Sequence, residues 1–113
     1  MSLKIDSLQN EKIKNIVRLR DSGRERKKQG WFLIEGWREI NLALAAGVEI
    51  VNLFYCADYS QPRPALADEK IIETAKKVFA KISYRENPDG FLAVAKIKEL
   101  KLEEAAMKIL ENW

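Results

Sequence analysis

Gly30-Trp31-Phe32-Leu33-Ile34-Glu35-Gly36 is the stretch whose reading decides the fold. The bulky apolar side chains that follow Trp31 predict a short buried strand over Phe32–Glu35. Gly36 ends it where the backbone turns sharply, since glycine accepts positive φ without a steric cost. Trp37 then opens an amphipathic helix. Upstream lies a basic run punctuated by glycine, Arg18 to Lys28, which reads as a loop from Ser22-Gly23 onward. A cationic loop feeding straight into a rigid strand suits a surface that grips polyanions.

Working outward, residues 7–21 carry a helical pattern, with Ser7 as N-cap and Ile13, Ile16, Val17 and Arg20 on one side. Glu11, Lys14 and Arg18 take the opposite side, and Ser22-Gly23 breaks the helix. Trp37 to Ala46 is a second helix, with Ile40, Ala43 and Leu44 inward and Gly47 at its C-terminal stop. Ile50 to Cys56 is apolar enough for a strand buried on both faces. Residues 57–68, with Pro62 and Pro64, read as the most mobile internal loop. The pattern then predicts a short helix over residues 69–76, a strand over 78–82 and another over 91–95. Asn87-Pro88-Asp89-Gly90 between the last two is a turn, where proline presets φ and glycine supplies the positive one. From Leu100 a final helix is expected, its apolar stripe formed by Leu102, Ala105, Ala106, Ile109 and Trp113. Strands alternating with helices at this spacing predict an α/β sandwich with about four strands in a largely parallel or mixed sheet.

With 113 residues, 47% of them hydrophobic and 33% charged, the chain holds one domain with a real core. Residues 1–6 read as a flexible leader, 7–96 as the domain, and 97–113 as a helix or linker toward a further domain. Net charge is only +3, but Arg18–Lys28 alone sets six basic residues against two acidic ones. The single Cys56 excludes an internal disulfide and suits a reducing, cytoplasmic setting. No apolar run approaches the length of a membrane span, so no membrane partner is expected. Histidine is absent, which removes the usual base at neutral pH and, with one cysteine, any zinc site. The five glycines are too scattered for a phosphate-cradling loop. No catalytic residue, metal or cofactor is therefore expected in this chain by itself.

Each candidate has a structural reading beside its functional one. Arg18, Arg24, Arg26, Lys27 and Lys28 form either a solvated surface or a phosphate grip, and guanidinium forks favour Arg24 and Arg26. Phe32, Trp37, Phe54 and Tyr55 belong to the core or its rim. Trp31, just before the strand, can also stack on a base. Glu35 is an anchor accepting donors at the strand–helix junction, and Cys56 is a small buried hydrophobe. Tyr84, Arg85 and Asn87 stand near enough to the turn to reach a ligand.

These features occur in a telling order. Asn10, Lys12, Lys14 and Leu19 lie on a basic first helix, followed by Arg24–Arg26 and by Gly30 with Phe32-Leu33-Ile34-Glu35-Gly36. Gly47, an apolar strand and Asn87-Pro88-x-Gly90 before Phe91-Leu92-Ala93-Val94 complete the set. Over residues 10–95 this order resembles the N-terminal substrate-binding domain of the SpoU/TrmH family of RNA 2′-O-ribose methyltransferases. The resemblance implies a three-layer α/β/α sandwich like that of kink-turn-binding ribosomal proteins. It implies RNA, ribosomal or transfer, as the partner, with Arg24, Arg26, Lys27, Lys28 and the Asn87 turn presenting it. Phe32, Glu35, Gly36, Pro88 and Gly90 would be structural. S-adenosylmethionine would bind a separate knotted domain, through which the whole protein would dimerise.

Two departures stand out. Asp89 occupies a turn position where the family often has glutamine, placing negative charge near the expected RNA. The chain also ends at Trp113 without the family's cofactor motifs or catalytic arginine, as expected of a piece cut at a domain boundary. Two other readings compete. One is a self-sufficient RNA-binding protein of the ribosomal-protein kind. The other is a protein-interaction module that uses the last helix.

Overall fold

The computed structural model describes residues 3–59, 66 and 68–97. Five strands form one mixed sheet: β1 (Leu3–Ile5), β2 (Trp31–Glu35), β3 (Ile50–Tyr55), β4 (Ile71–Thr74) and β5 (Phe91–Lys96). Their spatial order is β1-β4-β3-β5-β2. The β1–β4 and β4–β3 pairs are parallel, whereas β5 runs antiparallel to both β3 and β2. Among the described residues there are four α-helices, α1 (Glu11–Asp21), α2 (Gly23–Gln29), α3 (Trp37–Ala45) and α4 (Lys76–Ile82), of which α1, α3 and α4 pack on the sheet.

The alternation of strand side chains produces two cores. On one face Ile13, Ile16 and Leu19 of α1 and Val78, Phe79 and Ile82 of α4 pack against Phe54, Ile72, Leu92 and Val94. On the other, Ile40 of α3 meets Ile50, Leu53, Ile71, Phe91, Ala93 and Ala95. Trp37 and Tyr55 both lie against Phe91, with ring centroids 5.0 and 5.3 Å away. The result is the expected three-layer α/β/α sandwich, with five strands instead of about four.

Several boundaries differ from the sequence reading, each for a physical reason. The first helix starts later, because Asn10 and not Ser7 caps it, accepting from the Lys12 N–H at 2.9 Å. Its buried stripe is Ile13, Ile16 and Leu19, while Arg20 and Val17 sit at its margin. The basic segment expected as a loop is helix α2. Ser22, taken for a breaker, ends α1 and also caps α2 by accepting from the Glu25 N–H. Leu3–Ile5, expected in a flexible leader, forms a strand beside β4.

Residues 69–82 exchange their expected states. The segment expected as a helix contains β4, with Ile71, Ile72 and Thr74 buried between β1 and β3. The expected strand over 78–82 falls in α4. Val78, Phe79 and Ile82 are spaced as one face of a helix and are all buried. Most of the expected loop over 57–68 and the helix from Leu100 lie outside the described residues.

Candidate nucleic-acid interface

The corner where β2 meets α3 is built around a buried carboxylate. Glu35 is only 1% exposed. Its Oε2 accepts from the Ser83 hydroxyl at 2.5 Å, and its Oε1 accepts from the Tyr84 N–H at 2.9 Å. In return the Glu35 N–H donates to the Tyr84 hydroxyl at 2.9 Å. These bonds strap residues 83–84 across the end of β2. The sequence reading of Glu35 as a junction anchor agrees with this geometry.

Gly36 follows at φ 109°, and a Cβ there would run into the ends of Glu39 and Arg85. Having no side chain, it leaves the start of α3 uncapped from within. Asp89 supplies the cap across space: its Oδ2 accepts from the Trp37 N–H at 2.8 Å. The negative charge anticipated as an obstacle to RNA is thus turned toward its own helix, where the dipole favours it. Arg85 pairs with Glu39 at 2.9 Å. The Glu39 carboxyl is held below its usual range by its own backbone N–H and by Arg85.

At the opposite end of β2, α1 and α2 form a basic two-helix face. Asn15 and Gln29 exchange side-chain amide bonds of 2.9 and 2.8 Å between the helices. The Arg26 Nη1 donates to the carbonyls of Leu19 and Arg20 at 2.7 and 3.1 Å, closing the C-terminus of α1. Arg20 in turn donates to the Lys81 carbonyl and to Asp21, whose carboxyl it holds low. With α2 pinned in this way, Arg24, Lys27 and Lys28 project outward, and Arg18 is likewise exposed on α1.

The structure divides the sequence candidates accordingly. Arg18 on α1 and Arg24, Lys27 and Lys28 on α2 are all exposed. Arg26 belongs to its framework, half-buried and bonded to α1. Trp31 packs against the α1 core, so its ring is committed in large part to the fold. Arg85 stands at the other end of β2, against Gly36 and paired with Glu39, and Asn87 is exposed two residues on. Cys56 is fully buried, its thiol pushed up by that burial and donating to Asp58. Tyr84, 51% exposed and tied to the edge of β2, is more prominent than the sequence suggested. A tyrosine beside Ser83 and Arg85 carries no local signature of such a role.

Three layers with a basic helical pair beside the sheet define a small α/β/α domain. A family model of the MRM3-like substrate binding domain matches residues 10–93, and the chain belongs to that family. It is 32% identical over 95 residues to an uncharacterized tRNA/rRNA methyltransferase of Synechocystis sp., covering 79% of this chain and 34% of the relative. A crystal structure of an RNA 2′-O ribose methyltransferase superposes with a TM-score of 0.75 at 36% identity, over 90% of this chain and 40% of that one. An AdoMet-bound rRNA methyltransferase of Sinorhizobium meliloti gives 0.70 at 25% identity, over 88% of this chain and 38% of that one. The chain therefore spans little more than a third of the relatives it matches. The resemblance to the SpoU/TrmH substrate-binding domain is borne out.

Of the four positive-φ glycines, Gly36 and Gly90 close against Arg85 and against the Cys56 carbonyl, whereas Gly30 and Gly47 have open space around them. No helix among the described residues is long and apolar enough to cross a membrane.

Proposed function

We propose that this domain holds RNA for ribose 2′-O-methylation carried out by a separate domain of the whole protein, with S-adenosylmethionine as methyl donor there. The observation that carries the reading is the basic two-helix face on a domain whose family is a substrate-binding one. Arg18, Arg24, Lys27 and Lys28 supply phosphate contacts from helices, where position is better defined than in a loop. Arg85 and Asn87 extend the same interface past the far end of β2. Ribosomal RNA is the favoured substrate and the cytoplasm, which suits a lone reduced cysteine, the favoured setting. Dimerisation, where it occurs, belongs to the catalytic domain.

Fluorescence anisotropy with a labelled structured RNA, comparing the parent with Arg24→Glu/Lys28→Glu, tests this. These two positions lie four residues apart on one exposed side of α2. Loss of affinity in the variant, at unchanged helicity, is expected. Equal binding by the two proteins would remove the two-helix face from the interface.

A further inference from the structure

The outer edge of β2 carries main-chain groups that the sheet does not use. Gly36 donates to the Phe91 carbonyl and Ile97 to the Gly30 carbonyl, which fixes the hydrogen-bonded pairs with β5 at even-numbered residues of β2. The N–H and C=O of the odd-numbered residues consequently point away from the sheet. Glu35 confirms the phase, since its N–H reaches outward to the Tyr84 hydroxyl. Leu33, two residues earlier, faces outward too. Its N–H and C=O have no partner among the described residues.

Leu33 also borders a cleft of about 420 Å³, together with Leu19, Arg20, Arg26, Phe32 and Tyr84. That size lies within the range of small-ligand pockets. The lining combines apolar and aromatic side chains with guanidinium groups. Arg20 is neutralised by Asp21, but Arg26 spends only Nη1 on α1, and its Nε and Nη2 have no partner among the described residues. Arg24, Lys27 and Lys28 lie on the same short helix as Arg26.

We propose that this cleft receives one unstacked nucleobase of the bound RNA. The base stacks in it beside Tyr84, and its hydrogen-bonding edge meets the N–H and C=O of Leu33. A planar ring with adjacent donor and acceptor complements such a main-chain pair, and unpaired bases are commonly held on aromatic side chains. Arg26 faces the flanking phosphate. An extended peptide would also fit a strand edge, but a guanidinium with no ion pair among the described residues, on a helix that also carries Arg24, Lys27 and Lys28, favours a polyanion. The proposal rests on the RNA-holding role above and names the feature of RNA that the domain reads.

The test compares a labelled oligouridine with its abasic counterpart, which has the same phosphates, alongside a labelled structured RNA. The intact strand is expected to bind about tenfold more tightly than the abasic one at equal salt. Tyr84→Ala should abolish that difference, while Tyr84→Phe, which keeps the ring, should preserve it. In amide NMR spectra of the unmodified chain, the Leu33 resonance should shift with the intact strand and stay in place with the abasic one. Equal affinities with shifts confined to α1 and α2 would overturn the base cleft and leave the electrostatic grip standing. If none of the three nucleic acids bound, the RNA-holding role would fall with it. A Leu33 shift caused by an added extended peptide, or by protein concentration alone, would reassign the edge to strand pairing and overturn the proposal.

Discussion

Glu35 shows how much one buried charge can organise. Its carboxylate accepts from Ser83 and Tyr84, and nearly all of it is out of water. Replacing it by alanine leaves two donors facing a cavity, so Glu35→Ala should lower stability by roughly 3 kcal/mol in urea unfolding. Glu35→Gln should cost less, because the amide oxygen can still accept. Gly90 is a second fixed point: at φ 89° a Cβ would lie 2.8 Å from the Cys56 carbonyl, a backbone atom that cannot swing aside. Tyr84 gives a pH signature. Burial, with the Glu35 carboxylate adding to it, pushes its phenol above the usual value. The folded chain then holds that proton more tightly than the unfolded chain. The contribution is fully present below the unfolded tyrosine pKa of about 10 and is lost as pH rises through the folded value. Alkaline denaturation should accordingly be less steep for Tyr84→Phe than for the parent.

At the scale of elements, α2 matters most, since it has seven residues and none of them is buried. A helix this short does not persist by propensity. Its supports are the Ser22 cap, the Arg26 bonds to α1 and the Asn15–Gln29 amide pair. Ser22→Ala should cost about 1 kcal/mol. Asn15→Ala should speed amide hydrogen exchange across Gly23–Gln29 and weaken RNA binding without altering any charge. Part of this was legible in advance. Ser22-Gly23-Arg24-Glu25 has the serine and glutamate spacing of a capping box, but the density of charge and the adjacent glycine favour reading it as a loop. The exchange of states in residues 69–82 has another cause. Lys70-Ile71-Ile72-Glu73 lacks strict alternation, because Ile71 and Ile72 fill the cores on opposite faces of a central strand. The helical spacing of Val78, Phe79 and Ile82 was visible but lay in a run rich in β-forming residues.

The whole molecule brings together what sequence distance conceals. Phe32-Leu33-Ile34-Glu35-Gly36 and the Asn87–Gly90 turn announced the strand, the corner and the family. No local pattern announces that Tyr84 bonds to the edge of β2, or that Asp89 caps a helix 52 residues earlier. Such contacts follow from topology: β5 lies between β3 and β2, so the turn before β5 is delivered to the end of β2 where α3 begins. The same arrangement leaves β2 at the border of the sheet beside α2, and there charge and an exposed strand edge coincide.

The most direct measurement is anisotropy of the chain with a labelled structured ribosomal RNA fragment across a salt series, beside Arg24→Glu/Lys28→Glu. With about four phosphates engaged, log K should fall against log salt with a slope of about −3, and the variant should bind at least about tenfold more weakly with a shallower slope. A flat salt response, or parent and variant binding alike, would contradict the assignment of the two-helix face as the RNA grip.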